Sequence, residues 1–504
     1  MSLDKKKIQR INISLEQLFF CIYMLFTFLL VCTHEQWEDE LQAWCIAQSL
    51  SIPEIFYQMR YEGHFALWHL LLKPLTVLHF PVFFMGILSW ILCLISAYLF
   101  MVRSQFPIIV KSLILISCPV LYYFPVIARN YALIPLILTG LAMYYPVRLR
   151  KPWHYGSFLI LLVHTHAYMC GLAGILGVFF AWELLKRPNK YKSFAVLVMI
   201  SLGVLAAFLQ VAPAFGSTSV APANFSDVLA VKGLFSKIGK SCYLLADLHC
   251  EYSIFKHPLP GILIYYAALL LGWFGLLWRD KKIFTIFFFA VFWQILFSSM
   301  IYPFGLQRVY LPFLILIFCY ALPTIQKRTT LISANRVSPW LRDGYIALGV
   351  LAILTIPATG YFIKNDISKP FSNLQHMANY IQKNVPADAK IVVFPDTLIT
   401  GTFGAYIPGR EFHRSTDNKP FTLFCMPRGP LPGKLDQKQL AIYAGKRSEF
   451  YILFQFGAYI SYQLPYNQEI FHIGDFCLKI ETCTLPAAFF SAGENYILLK
   501  VTRK

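Results

Sequence analysis

Charge is what this chain has least of. Only 14% of its 504 residues are Asp, Glu, Lys or Arg, whereas soluble domains carry roughly 25%, and that scarcity excludes an ordinary water-soluble enzyme. Acids are rarer still, 25 against 44 basic residues. No glycine-rich nucleotide-binding loop is present after residue 364, which counts against a machine driven by ATP or a nucleotide sugar. The twelve cysteines contain no CxxC or other metal-ligand spacing. No internal repeat of useful period and no low-complexity linker interrupts the chain. A cleaved signal peptide is also excluded, because the first apolar segment is long and Thr33-His34-Glu35 is no small-residue cleavage site.

What the chain has is apolar length. It is 57% hydrophobic with a mean hydropathy of +0.57, and several windows reach the roughly 20 apolar residues that cross a bilayer. Spans are expected at about 15–33, 82–102, 107–127, 132–147, 155–169, 171–185, 193–213, 258–278, 283–302, 309–325 and 343–363. The net charge of +19 calls for no nucleic-acid partner, because the basic residues lie between these segments, as the positive-inside rule requires. Lys5, Lys6, Lys7 and Arg10 keep the N-terminus cytoplasmic. Arg103 with Lys111, then Arg148, Arg150 and Lys151, then Lys186, Arg187, Lys190 and Lys192 fall inside in turn. Arg279, Lys281 and Lys282, and finally Lys327, Arg328 and Arg336, follow the same pattern. The register holds only if Phe65 to His79, with His69, Lys73 and Pro74, forms an interfacial or re-entrant helix and does not cross.

The acids are concentrated where this topology puts the first outer loop, residues 34–81. Glu35, Glu38, Asp39 and Glu40 crowd one run, Glu62 and His64 follow, and Trp37, Trp44 and Trp68 interleave with them. Carboxylates at a membrane edge are costly and usually have a use. Leu41, Trp44, Ala47 and Leu50 recur at helical spacing beside polar Gln42, Gln48 and Ser49, which predicts a helix lying flat on the membrane. Asp39 and Glu40 sit in its first turn, where the helix dipole favours negative charge and leaves an acid available as a base. Ser51-Ile52-Pro53-Glu54 is a capping box that starts a second helix.

After about residue 364 the pattern changes. An amphipathic helix, a Pro-Ala-Asp turn and an apolar strand at 391–394 come first, with further strands at 450–454 and 496–501 and a Gly/Pro cluster at 427–433. Roughly 140 residues suffice for a separate core, so 364–504 is expected as a small extracytoplasmic α/β domain behind a membrane domain of residues 1–363. Cys242 with Cys250, and Cys477 with Cys483, fall on the outer face and could pair there; spacing alone leaves that open.

Other polar residues reach the same predicted face. Arg129 and Tyr131 end the third span, His164 and His166 lie near the outer end of the fifth, and Arg308 precedes the tenth. Arginine suits phosphate through two parallel hydrogen bonds. Carboxylates and isolated arginines converging on one side point to acid–base chemistry on a phosphate-bearing molecule, whereas the histidines read as packing or capping groups.

At these residues the chain resembles a family. The run from Trp37 to Phe56, with Tyr61 to Leu75, is similar to the first outer loop of GT-C glycosyltransferases, in particular the family 39-like branch of protein mannosyltransferases and lipid A aminoarabinose transferases. Asp39-Glu40 matches the acidic pair, Glu62-Gly63-His64 the turn before the interfacial helix, and Ala128-Arg129-Asn130-Tyr131 the second outer loop. Phe65 stands where proline commonly follows the histidine, and Asn130 where many relatives carry an acid, which weakens a metal-dependent reading. The resemblance implies a GT-C fold: an all-α bundle of about eleven transmembrane helices, interfacial helices and a small outer domain.

It also implies an inverting transferase in the cytoplasmic (inner) membrane that moves a hexosyl or pentosyl group from a polyprenyl-phosphate sugar to an acceptor hydroxyl on the outer face. Asp39 is then the general base and Glu40 its catalytic neighbour. Glu62, His64, Arg129, Tyr131 and Arg308 bind substrate, with the arginines on the lipid phosphate. No cofactor is called for; a divalent metal is allowed but not indicated. The partners are the lipid-linked donor, membrane lipids and an acceptor that is glycan, lipid or protein. Two other classes stay open: a polytopic lipid or glycan transporter or flippase, which would place ionisable groups near mid-membrane, and a non-catalytic envelope-assembly protein keeping the fold.

Overall fold

The computed structural model describes residues 14–212, 231–252, 257–278, 280–326, 339–394, 402–421, 435–465, 468–484, 488–490 and 494–504. The chain opens with α1 (Leu15–Thr33) and three short helices, α2 (Glu38–Ser49), α3 (Ile52–Glu62) and α4 (Leu67–Val77). The bundle continues with α5 (Phe84–Arg103), α6 (Ile108–Ile116), α7 (Leu133–Tyr144), α8 (Pro152–Val163), α9 (Cys170–Leu185) and α10 (Lys190–Val211). It closes with α11 (Val231–His249), α12 (Pro258–Leu277), α13 (Lys281–Met300), α14 (Leu311–Gln326) and α15 (Pro339–Ser368).

Each of the eleven expected spans contains one of these helices. Among the described residues eight are long and apolar enough to cross a membrane, and two shorter apolar ones cover 152–163 and 308–322. This is an integral membrane protein. The third expected span, 107–127, is the exception. Helix α6 stops at Ile116, and Pro119–Tyr123 forms a π-helical turn. Ser117 is extended, with φ −65° and ψ 150°, and Pro119 lacks the N–H that would continue the ladder.

Two of the basic loops meet at one end. Arg148 donates two hydrogen bonds to Glu183, at 2.7 and 2.8 Å, and Lys282 pairs with the same carboxylate. The clusters at 5–10, at Arg279 and at 327–336 lie outside the described residues. Helix α11 has no counterpart among the expected spans, because its polar residues break the apolar run that marks a crossing segment.

Helix α3 begins as its capping box requires, with the Ser51 N–H donating to Glu54 at 2.7 Å, and ends on Gly63 at φ 68°. Helix α4 has 11 residues, about 16 Å of rise, too short to cross a core of about 30 Å. Helix α2 departs from its expected setting. It does not lie apolar side down with a wet upper face: Glu40 to Ala47 are all buried.

Helices α3 and α4 and the bundle cover much of α2, and the C-terminal end covers the rest. Helix α16 (Leu374–Asn384) leads into a seven-stranded sheet of order β3-β2-β1-β4-β7-β6-β5. Its strands are β1 (Ile391–Phe394), β2 (Phe412–Arg414), β3 (Pro420–Phe421), β4 (Glu449–Gln455), β5 (Ile470–Ile473), β6 (Phe476–Cys483) and β7 (Tyr496–Arg503). Strand β1 runs parallel to β2 and β4, and the remaining pairs are antiparallel. The central strands are buried on both faces, and successive residues alternate between two cores. Val392, Phe394, Ile452 and Leu499 point to one. Ile391, Val393, Leu453 and Leu498 point to the other, which also contains Leu41 of α2. The Gly/Pro cluster at 427–433 lies outside the described residues.

Neither cysteine pair is bonded; Cys242, Cys250, Cys477 and Cys483 are free thiols. Eight residues of continuous helical backbone separate the first pair by about 12 Å, and six strand residues separate the second by about 20 Å. Both exceed the roughly 7 Å Cα limit of a disulfide.

Candidate active site

The site is assembled at one end of the bundle, where α2 begins. Trp37 is the helix N-cap residue, and an indole offers no acceptor oxygen. Glu40 accepts the Trp37 N–H at 3.2 Å instead. Its carboxylate also takes the Ala128 N–H and contacts His34 Nε2 at 3.1 Å. The other ring nitrogen of His34 meets Asp366 of α15 at 3.1 Å. Glu40 is therefore fully buried and committed to structure. Expected as a catalytic neighbour of Asp39, it reaches neither of the cavities described below. Burial works against a charge on His34, but the carboxylates of Asp366 and Glu40 outweigh it and raise the imidazole to about 10.

Fixing Ala128 places the next residue. Arg129 is extended, with φ −128° and ψ 171°, and its guanidinium forms an ion pair with Asp39. Successive residues on a helix point about 100° apart, which is why Asp39 turns to open space while Glu40 turns inward. Arg129 Nη2 donates to His64 Nε2 at 3.3 Å. Burial, with the Arg129 charge added, lowers the His64 pKa and keeps the ring neutral, as an acceptor there must be. Burial also opposes the Arg129 charge, but Asp39 outweighs it and holds the guanidinium protonated above its ordinary range.

Asp39, His64 and Arg129 form a wall shared by two cavities. One, of about 520 Å³, is completed by Trp37, Tyr131, Tyr302, Gln307, Arg308 and Phe490 among others. The Arg308 guanidinium lies 4.0 Å from the Tyr302 ring centre, and its buried Nη1 has no hydrogen-bond partner among the described residues. The Tyr131 hydroxyl meets His166 Nε2 at 3.0 Å. The second cavity, of about 480 Å³, is completed by Gln42, Glu62, Phe65, Trp68, His69 and Asn130 among others. Glu62 accepts from Gln58 at 2.8 Å. Burial, with the neighbouring His64 adding to it, drops the His69 pKa to about 3, so that ring is also neutral.

Six of the seven residues singled out in the sequence thus line these cavities: Asp39, Glu62, His64, Arg129, Tyr131 and Arg308. Glu40 does not. Of Glu35, Glu38, Asp39 and Glu40, only Asp39 reaches them. His166 supports Tyr131, and His164 bonds the Gly203 carbonyl at 3.0 Å, away from the wall. Gln42, Tyr302 and Phe490 were not singled out. Gln42 was accessible through its three-residue spacing from Asp39 on one helix, and Tyr302 through its place in the Arg308 loop. Phe490 arrives from the C-terminal domain and carries no local signal. Among the described residues, no group of three or more His, Cys, Asp or Glu is arranged to hold a metal ion.

A third, apolar cavity of about 810 Å³ lies in the bundle between α1, α5, α6, α7 and α14. Phe124 forms part of its lining and stacks on Tyr131 of the first cavity, with ring centres 6.4 Å apart.

A bundle of this kind, with short helices after the first span and a terminal sheet domain packed over them, has the GT-C glycosyltransferase fold. It is similar to the crystal structure of ArnT from Cupriavidus metallidurans bound to undecaprenyl phosphate, with a TM-score of 0.53 and 10% identity, covering 96% of this chain and 97% of that one. The apo crystal structure of the same ArnT covers the same shares at 11% identity and a TM-score of 0.47. No protein-family model matches the chain, and no curated protein matches its sequence.

Proposed function

We propose that this protein is an inverting glycosyltransferase that moves a sugar from a polyprenyl-phosphate donor to an acceptor hydroxyl on the outer face of the inner membrane. Residues 1–363 form its membrane domain and 364–504 its extracytoplasmic domain. The observation that carries the reading is the shared wall, where one carboxylate meets one arginine between two cavities and a second arginine lines the larger one. Asp39 is the base. The acceptor oxygen attacks the anomeric carbon and gives its proton to the Asp39 carboxylate. The bond from that carbon to the phosphate oxygen breaks, its electron pair leaving with the lipid phosphate.

Charge therefore builds on the phosphate, and Arg129 and Arg308 are placed to meet it. Tyr131 completes that side, while Glu62 and His64 orient the sugar or the acceptor. Phosphate is a good enough leaving group to need no separate acid, and no cofactor is required. The apolar cavity beyond Phe124 has the chemistry to take a prenyl chain, and the likeness to an ArnT bound to undecaprenyl phosphate supports that class of donor. The test is mass spectrometry of lipid-linked sugars and envelope glycans in a deletion strain, complemented by the wild-type protein or by Asp39→Asn. A transferase leaves the sugar-loaded lipid donor accumulating in the deletion and in Asp39→Asn. A transporter or scaffold is indifferent to that substitution.

A further inference from the structure

Phe490 and Glu494 of the C-terminal domain meet the start of α2, at Trp37 and Glu38. Asn495 anchors their segment to its own domain, accepting from Asn373 at 2.7 Å and from the Ala488 N–H at 3.0 Å. Phe490 stacks on Phe371 at 4.4 Å, packs edge-on against Trp37 at 5.0 Å, and forms part of the cavity that holds Asp39, Arg129 and Arg308. From this support Glu494, fully buried, accepts the Glu38 N–H at 3.2 Å.

That contact answers a local deficiency. The first N–H groups of an α-helix have no partner within the helix, and a residue such as Trp37 cannot supply the usual capping oxygen. Glu40 and Leu41 both donate to the Trp37 carbonyl, at 3.0 Å. The Glu38 N–H, one residue before Asp39, is met by a side chain 456 positions away in sequence.

We propose that Glu494 is a positioning residue for Asp39: by capping α2 from the C-terminal domain, it holds the Asp39 carboxylate at the wall between the two cavities. The inference rests on the reading of Asp39 as the base. Burial, with the Glu38 and Asp39 charges adding to it, pushes the Glu494 carboxyl well above the ordinary carboxylate range. The cap is a single acceptor oxygen on a buried side chain, for which glutamine is a close substitute and methionine is similar in shape without the acceptor.

The experiment compares Glu494→Gln and Glu494→Met in the full chain, in nanodiscs. Three quantities are read: hydrogen exchange of amides 37–42, binding of undecaprenyl phosphate, and transfer in the complemented deletion strain. Glu494→Met should speed exchange of these amides and slow transfer, each by about three- to thirtyfold, the usual scale for a lost N-terminal cap. Lipid binding should not weaken, because the arginines that meet the phosphate are carried by other loops. Glu494→Gln should restore both exchange and transfer.

Unchanged exchange in Glu494→Met, or no rescue by Glu494→Gln, overturns the proposal. So does unchanged transfer in Glu494→Met where Asp39→Asn is inactive. If exchange responds but Asp39→Asn transfers at the parent rate, the capping contact stands, while the reading of Asp39, and with it the positioning role, is overturned.

Discussion

Replacing Asp39 with asparagine should have opposite effects on the two halves of the reaction. Asparagine keeps the shape and an acceptor oxygen but cannot take the acceptor's proton, so transfer should fall by about 10²- to 10⁴-fold, the usual worth of general-base assistance. Binding of the donor should move the other way. In the structure Asp39 is the ion partner of Arg129, and the phosphate must compete with it for the guanidinium. The two side chains are 16% (Arg129) and 28% (Asp39) exposed, neither fully solvated nor buried. The pair should therefore be worth about 1 kcal/mol, the upper end for exposed ion pairs. Releasing Arg129 should tighten undecaprenyl phosphate by up to about fivefold. Binding is measured on the purified variant in nanodiscs and transfer in the complemented deletion strain. A general loss of structure would weaken both, so slower transfer with tighter binding is specific to this geometry. Transfer at the parent rate refutes Asp39 as the base; weakened binding refutes the competition for Arg129.

Four further outcomes follow from the same contacts. Arg308→Ala should weaken undecaprenyl phosphate binding by roughly 10- to 150-fold, the loss of one charge-assisted contact worth about 1.5–3 kcal/mol, and Arg308→Lys should restore it only in part because a point charge lacks the planar fork; titration in nanodiscs checks both. Glu40→Gln should lower stability by about 3–5 kcal/mol, the cost of breaking a buried charged network, whereas Asp39→Asn should leave the melting temperature nearly unchanged. Because His34 is raised from 6.5 to about 10 in the folded protein, its stabilisation is complete below about pH 6.5 and lost as pH rises through about 10; the gap in melting temperature between wild type and His34→Ala should shrink over that window. Cysteines introduced at exposed positions near Glu38, near Lys256 (which lies outside the described residues) and after Asn365 should react with an impermeant reagent from outside, and those at 186–192 should not.

The sequence by itself determined the class of the molecule and most of its parts. Apolar runs near 20 residues have one use, and the capping box at Ser51 and the shortness of α4 were fixed by local chemistry. Strand β1 could be read to the residue, because four consecutive apolar residues between turn signals leave little freedom. Asp39 and Arg129 could be named, but not paired. The break at Pro119 was visible as a residue and not as an effect on the span.

Tertiary structure alone separated Asp39 from Glu40. Adjacent acids in one helical turn look alike in sequence, and only the arrival of His34, Asp366 and the Ala128 N–H on one side turned Glu40 into a buried anchor and left Asp39 facing the cavities. The burial of α2 was hidden in part, since Leu41 packs into a core whose other buried members lie more than 300 residues later. Phe490 and Glu494 share that origin. Helical and strand periodicity report which face of an element is apolar, but not which distant segment will meet it. That is decided by the packing of the sheet against the first loop.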